Sequence, residues 1–176
     1  MFASFFKDSV PTPAEIGYAA ILSASRREAF YSRGGVPDTL DGRFDLLMLH
    51  VFLVLNRLEG QGRAADVFGQ QLFDYMWNVI DLNLREMGVG DLGVSKRIKA
   101  MGQGFYGRAV AYRDGLSDDN TLSRALTNNL FGSTPEPPSA TTVAAMANYV
   151  KAQAKVLAAQ PLEAILSGQI TFGEYE

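Results

Sequence analysis

The stretch Phe44-Asp-Leu-Leu-Met-Leu-His-Val-Phe-Leu-Val-Leu55 decides the fold class. It is apolar on nearly every side, interrupted only by Asp45 and His50, and closed off by Arg43 before it and by Asn56 and Arg57 after it. A membrane span needs about 20 largely apolar residues, so this run is too short and predicts a helix buried on all sides in a protein core. Gly60 and Gly62 end it at about Glu59, and a second helical pattern follows from about Ala64 to Glu86, carrying Phe68, Leu72, Tyr75, Trp77, Ile80 and Leu84. Two long helices joined by so short a turn pack antiparallel.

Counting equal distances from the turn places His50 opposite Leu72 to Asp74 and Arg43 opposite Asn78 to Asp81. Arg43, His50 and Arg57 share one stripe, since seven residues make close to two turns. The expectation is a polar ladder that stitches the hairpin, His50 with Asp74 and Arg43 with Asp81.

Helical periodicity continues outward in both directions. A helix is expected over Pro13 to Arg33, broken by Gly34 and Gly35. Asp38 then stands as the N-cap of the apolar helix, with Asp41 in its first turn, where the macrodipole favours an anion. Beyond Gly88 and Gly90, Asp91 is placed to cap a helix reaching Tyr112, and Asp118 or Asp119 to open another through Leu130. Residues 132–140, with Pro135, Pro137 and Pro138, form an internal linker. A last helix spans about Thr141 to Ala159, and only Gln169 to Phe172 hints at a strand. The pattern predicts an all-α fold: one domain over 1–176, a bundle of about six helices, with 1–12 as an N-terminal segment. Phe2, Phe5 and Phe6 in that segment are expected to dock on the body, with insertion at a membrane surface as the alternative.

Composition removes several functions. Cysteine is absent and His50 is the sole histidine, which excludes disulfides, thiolate metal sites and Cys nucleophiles, and lowers the case for a histidine-held metal. The net charge of −3 speaks against recognition of a specific nucleic-acid sequence. The charge is uneven, however. Residues 85–113 hold six basic and two acidic side chains, a local +4, between two acidic flanks. Lys96, Arg97 and Lys99 lie where a helix N-terminus disfavours cations, and with Arg108 and Arg113 they are the candidate partner-binding residues.

The remaining motifs are weak. Gly88, Gly90, Gly93 and Gly102, Gly104, Gly107 each match G-x-G-x-x-G, but neither follows a strand, so helix termination and close packing explain them better than a dinucleotide. Asp38, Asp41 and Asp45, with Asp74 and Asp81 across the hairpin, would suit magnesium and an isoprenoid diphosphate. This is the alternative function, weighed against plain capping and ion pairing. No residue is assigned a catalytic, cofactor-binding or metal-binding role.

The strings Tyr31, Pro37-Asp-Thr39, Asp41-Gly-Arg-Phe44 and Leu49-His50, then Asp81, Leu84-Arg-Glu-Met-Gly-Val-Gly-Asp91, and further Val94, Lys96, Arg97, Lys99, Met101, Phe105 to Arg108 and Tyr112, resemble the ubiquinol-cytochrome c chaperone family. The resemblance implies a non-enzymatic assembly factor of the cytochrome bc complex of the respiratory chain, which binds newly made cytochrome b or a segment of it and needs no cofactor. Mitochondrial members also use a small partner protein and the ribosome, and carry an N-terminal extension. No signal peptide, presequence or transmembrane pattern is found here, so the expectation is a bacterial member, cytoplasmic or peripheral to the inner membrane.

Overall fold

A computed structural model describes residues 10–134 and 136–176. The phenylalanines at positions 2, 5 and 6 lie outside the described residues. The described chain is all-α: α1 (Pro13–Ser25), α2 (Ala29–Ser32), α3 (Leu40–Leu58), α4 (Arg63–Glu86), α5 (Asp91–Gly115), α6 (Asp119–Asn129), α7 (Ala140–Ala159) and α8 (Leu162–Leu166). The first expected helix is therefore two, separated at Arg26. Thr12 opens α1 with a reciprocal capping box to Glu15, and the chain turns before α2.

Thr39, rather than Asp38, caps α3: its side chain accepts from the Gly42 amide at 3.1 Å. Asp38 is drawn away because its carboxylate accepts from Arg43 at 2.6 Å. Gly60 and Gly62 both hold positive φ, 72° and 90°, and make the tight turn into α4. At the next turn Gly90 occupies the N-cap of α5 while Asp91, the first helical residue, pairs with Arg85. Asp118 does cap α6, accepting from Thr121 at 2.8 Å, and Ser139 caps α7.

The core is one cluster centred on α3, whose Leu46, Leu49, Phe52, Leu53 and Val54 are almost wholly buried. Helix α1 packs on both α3 and α4, α7 covers the other side of α3, and α5 leans on α4 and α6. After α8 the chain forms no strand, so the one hinted at Gln169 to Phe172 is absent. Arg27 donates to the carbonyls of Gly173 and Phe172, and Arg33 to that of Tyr175, which seats Phe172 and Tyr175 over the core.

The expected ladder does not form. The stripe of Arg43, His50 and Arg57 faces α7 over its second half, not α4. Buried His50 sits with Nδ1 2.8 Å from the Leu46 carbonyl and Nε2 2.8 Å from the Tyr149 hydroxyl. The carbonyl can only accept, so Nδ1 carries the proton and Nε2 accepts from Tyr149. Burial pushes the His50 pKa down to about 4. Arg57 donates to the Leu157 and Gln160 carbonyls, and so supplies a cation to the C-terminal end of α7. Asp74 accepts instead from Gln70, and Asp81 from Arg85, both on their own helix.

Candidate functional site

A groove of about 780 Å³ opens between α1, the start of α3, the second half of α4, the middle of α5 and the end of α6. Each wall follows from helical spacing. Helix α1 and its C-cap present Tyr18, Leu22 and Arg26, successive at four residues; α4 and its C-cap present Ile80, Leu84 and Met87; α5 presents Arg97, Met101, Gly104 and Arg108. Most of the lining is apolar and includes Leu47 of α3. Its size falls within the roughly 300–1,000 Å³ of ordinary ligand sites.

Across the base of this groove Arg108 pairs with Asp45, joining α5 to α3. Asp45 is buried, and burial raises its pKa to about 6 even though Arg108 works against the rise. One turn further along α5, the Tyr112 hydroxyl is buried without a hydrogen-bond partner among the described residues, and burial pushes its pKa up.

Of the basic residues singled out on α5, only Arg97 and Arg108 line the groove. Lys96 and Lys99 are exposed, lie on another face of the helix and make no ion pair among the described residues. Arg113 pairs with Glu59 at 3.0 Å. The acidic residues do not gather either. Asp38 is held by Arg43, whose hydrogen bond lowers its pKa, and Asp45 by Arg108; no three acidic or histidine side chains among the described residues converge as metal ligands.

The glycines are only partly explained by helix termination and packing. Gly88, at φ 82°, does end α4. A Cβ at Gly102 would lie 3.9 Å from Trp77, whereas one at Gly104 or Gly107 would meet nothing within 4 Å. Gly104 therefore keeps open space beside the groove rather than admitting a neighbouring helix. The contributions of Tyr18, Leu22, Arg26, Met87 and Asn128 to the groove had no sequence motif to mark them; only the spacing of 97, 101, 104 and 108 signals a common face.

A profile of the ubiquinol-cytochrome c chaperone family matches residues 32–172, which takes in α3 through α8. The chain belongs to this family. Among curated relatives, ubiquinol-cytochrome c reductase complex assembly factor 1 of Mus musculus is 29% identical over 80% of the chain, and that of Homo sapiens 28% identical over 88%. The chain spans about half the length of these relatives, 47% and 52%. The crystal structure of the Cbp3 homolog from Brucella abortus superposes with a TM-score of 0.81 at 34% identity, covering 93% of this chain and 90% of that one. The family resemblance and the all-α bundle expected from the sequence are both borne out.

Proposed function

We propose that the chain is an assembly chaperone of the ubiquinol-cytochrome c reductase complex, acting by binding rather than turnover, and that it shelters an apolar helical segment of newly made cytochrome b in the groove between α1, α4 and α5. The observation that carries this reading is the groove itself, mostly apolar and edged with charged side chains, in a member of a chaperone family. Apolar grooves of this kind hold amphipathic helices by burying their apolar face. A helix is about 10 Å across and rises about 1.5 Å per residue, so the space accepts on the order of two turns. A membrane-spanning helix is about 30 Å long; the groove would therefore shield one part of a client helix and leave the rest for other contacts.

Lys96, Arg97, Lys99, Arg108 and Arg113 add electrostatic attraction in this reading, Arg97 and Arg108 inside the groove and the others from the outer faces of α5. Lys96 and Lys99 are the residues best placed for a ribosome or an anionic membrane surface. No described helix is long and apolar enough to cross a membrane. The test is affinity capture of the full chain from cells that make the bc complex, read for cytochrome b. Cytochrome b should co-purify while the complex is being assembled, and its absence from captures made during active synthesis would overturn the proposal.

A further inference from the structure

Arg108 is a half-buried guanidinium with five N–H donors, and only Nη1 is engaged, by Asp45. Arg97, three turns earlier on the same face of α5, makes no hydrogen bond or ion pair among the described residues. Arg26, just past the end of α1, faces the groove and is likewise unpaired among the described residues. Four arginines line the groove, with Arg43 the fourth, against two aspartates, Asp41 and Asp45. Arg43 is already held by Asp38 and Arg108 by Asp45, which leaves Arg26 and Arg97 against the single carboxylate of Asp41, an excess of positive charge.

An apolar helix seated here would cover the partly buried Arg108 and strip water from the exposed Arg97, and desolvating a cation that has no partner is costly. A carboxylate brought in by the occupant removes that cost and makes charge-assisted hydrogen bonds, which are the strong ones. A lysine in the same place would add a like charge near Arg97 and Arg108.

We propose that the segment taken into this groove is an apolar helix carrying an acidic side chain, and that Arg97 and Arg108 select it by that carboxylate. This rests on the groove being the client site. Because Asp45 already balances Arg108, Arg97 is the residue through which the selection can be changed without breaking a buried pair.

The test uses the full chain and three fluorescent peptides of one apolar helical sequence with uncharged polar tails, differing only in a central Glu, Gln or Lys. Fluorescence anisotropy should give the order Glu, Gln, Lys, with the Glu peptide at least fivefold tighter than the Gln peptide in low salt. The ratio should shrink in high salt, as expected for partly exposed charges. Arg97→Glu should reverse the order of the Glu and Lys peptides. Equal affinity for the Glu and Gln peptides would overturn the selection and leave the groove as a client site. Failure of all three peptides to bind, with the fold intact, would overturn the groove reading as well. Displacement of a bound Glu peptide by vesicles of anionic lipid, but not of neutral lipid, would assign the arginines to a headgroup instead and also overturn the proposal.

Discussion

His50 and Asp45 lie less than two turns apart on α3, and their surroundings differ in almost every respect. On the α7 side His50 has both ring nitrogens satisfied and is enclosed by Phe30, Tyr149 and Phe172, with ring centroids 5.1 to 5.8 Å away. On the α5 side Asp45 meets one partly buried arginine, the neighbouring Tyr112 hydroxyl has no partner among the described residues, and the helix beyond exposes Leu92, Tyr106 and Val110. One face of α3 is finished as a core, and the other is left open as a groove. The contrast teaches where this fold can be altered cheaply: losses on the α7 side should appear in stability, and losses on the α5 side in binding.

The largest effect is expected at His50. His50→Ala removes two buried hydrogen bonds, leaves the Tyr149 hydroxyl without its acceptor and opens a cavity, which together should cost about 3 to 4 kcal/mol. Denaturant unfolding should show the loss as a lower midpoint with an unchanged slope, and client capture well below the new midpoint should persist. A cost below about 1 kcal/mol would mean that the α7 side is not the closed half.

The two groups should also respond to pH in opposite senses. The His50 pKa is depressed from 6.5 to about 4. Its contribution is present above pH 6.5 and is lost as pH falls toward 4, because the unfolded chain then binds the proton first. The Asp45 pKa is raised from 3.8 to about 6, so its contribution is present below pH 3.8 and is lost as pH rises through 6. The two shifts act in opposite senses over the same range, so between pH 4 and 6 they largely offset. Asp45→Asn should therefore unmask a stability that falls on acidification, and His50→Gln one that rises. Denaturant midpoints measured at pH 4, 5, 6 and 7 check both, and parallel profiles for the two variants would break the comparison.

The ladder that the spacing suggested across the α3 and α4 hairpin shows what was legible in the sequence and what was not. The hairpin could be read because Gly60 and Gly62 admit a turn that other residues resist, the start of α6 because Asp118 caps it, and the start of α7 because the prolines before it cannot be helical. Residue spacing along α3 correctly put Arg43, His50 and Arg57 on one stripe. It could not say which neighbour that stripe meets, because Tyr149 lies 99 residues away on α7 and local periodicity carries no such information. Asp38 was misread for a related reason: two adjacent residues could cap α3, and Arg43 took one of them. The groove was invisible as a motif because its walls come from five helices, and its clearest local mark was a set of small and basic residues on one face of α5.

Arg108 gives the next smaller effect. Arg108→Ala strands a buried carboxylate and should cost about 2 kcal/mol at pH 7, less than the roughly 3 to 5 expected for a fully enclosed pair, because the guanidinium is partly in water. Asp45→Asn combined with Arg108→Gln should restore much of the loss, as a double-mutant cycle would record. If the single and double variants were equally unstable, the pair would not be what joins α3 to α5.

Reversal of Lys96, Arg97 and Lys99 to Glu should cost no more than about 0.5 kcal/mol per site, since all three are exposed and none is ion-paired among the described residues. The melting transition should barely move while bc complex accumulation in the variant strain collapses. Normal complex levels in that strain would leave the basic run as an ordinary solvated face.

The smallest stability effect belongs to Gly104, and it separates the two sides of α3 most cleanly. A side chain there grows into open space beside the groove, and replacing an exposed mid-helix glycine gains about 0.5 to 1 kcal/mol of helix stability. Gly104→Leu should therefore melt at the wild-type temperature or slightly above it, yet occupy volume that the client segment needs. Capture of cytochrome b should fall severalfold, and the bc complex with it, although no charge, hydrogen bond or core contact has been removed. A variant that is at least as stable and equally active would show that the client does not enter between α1 and α5, because the added side chain fills that space without removing any contact.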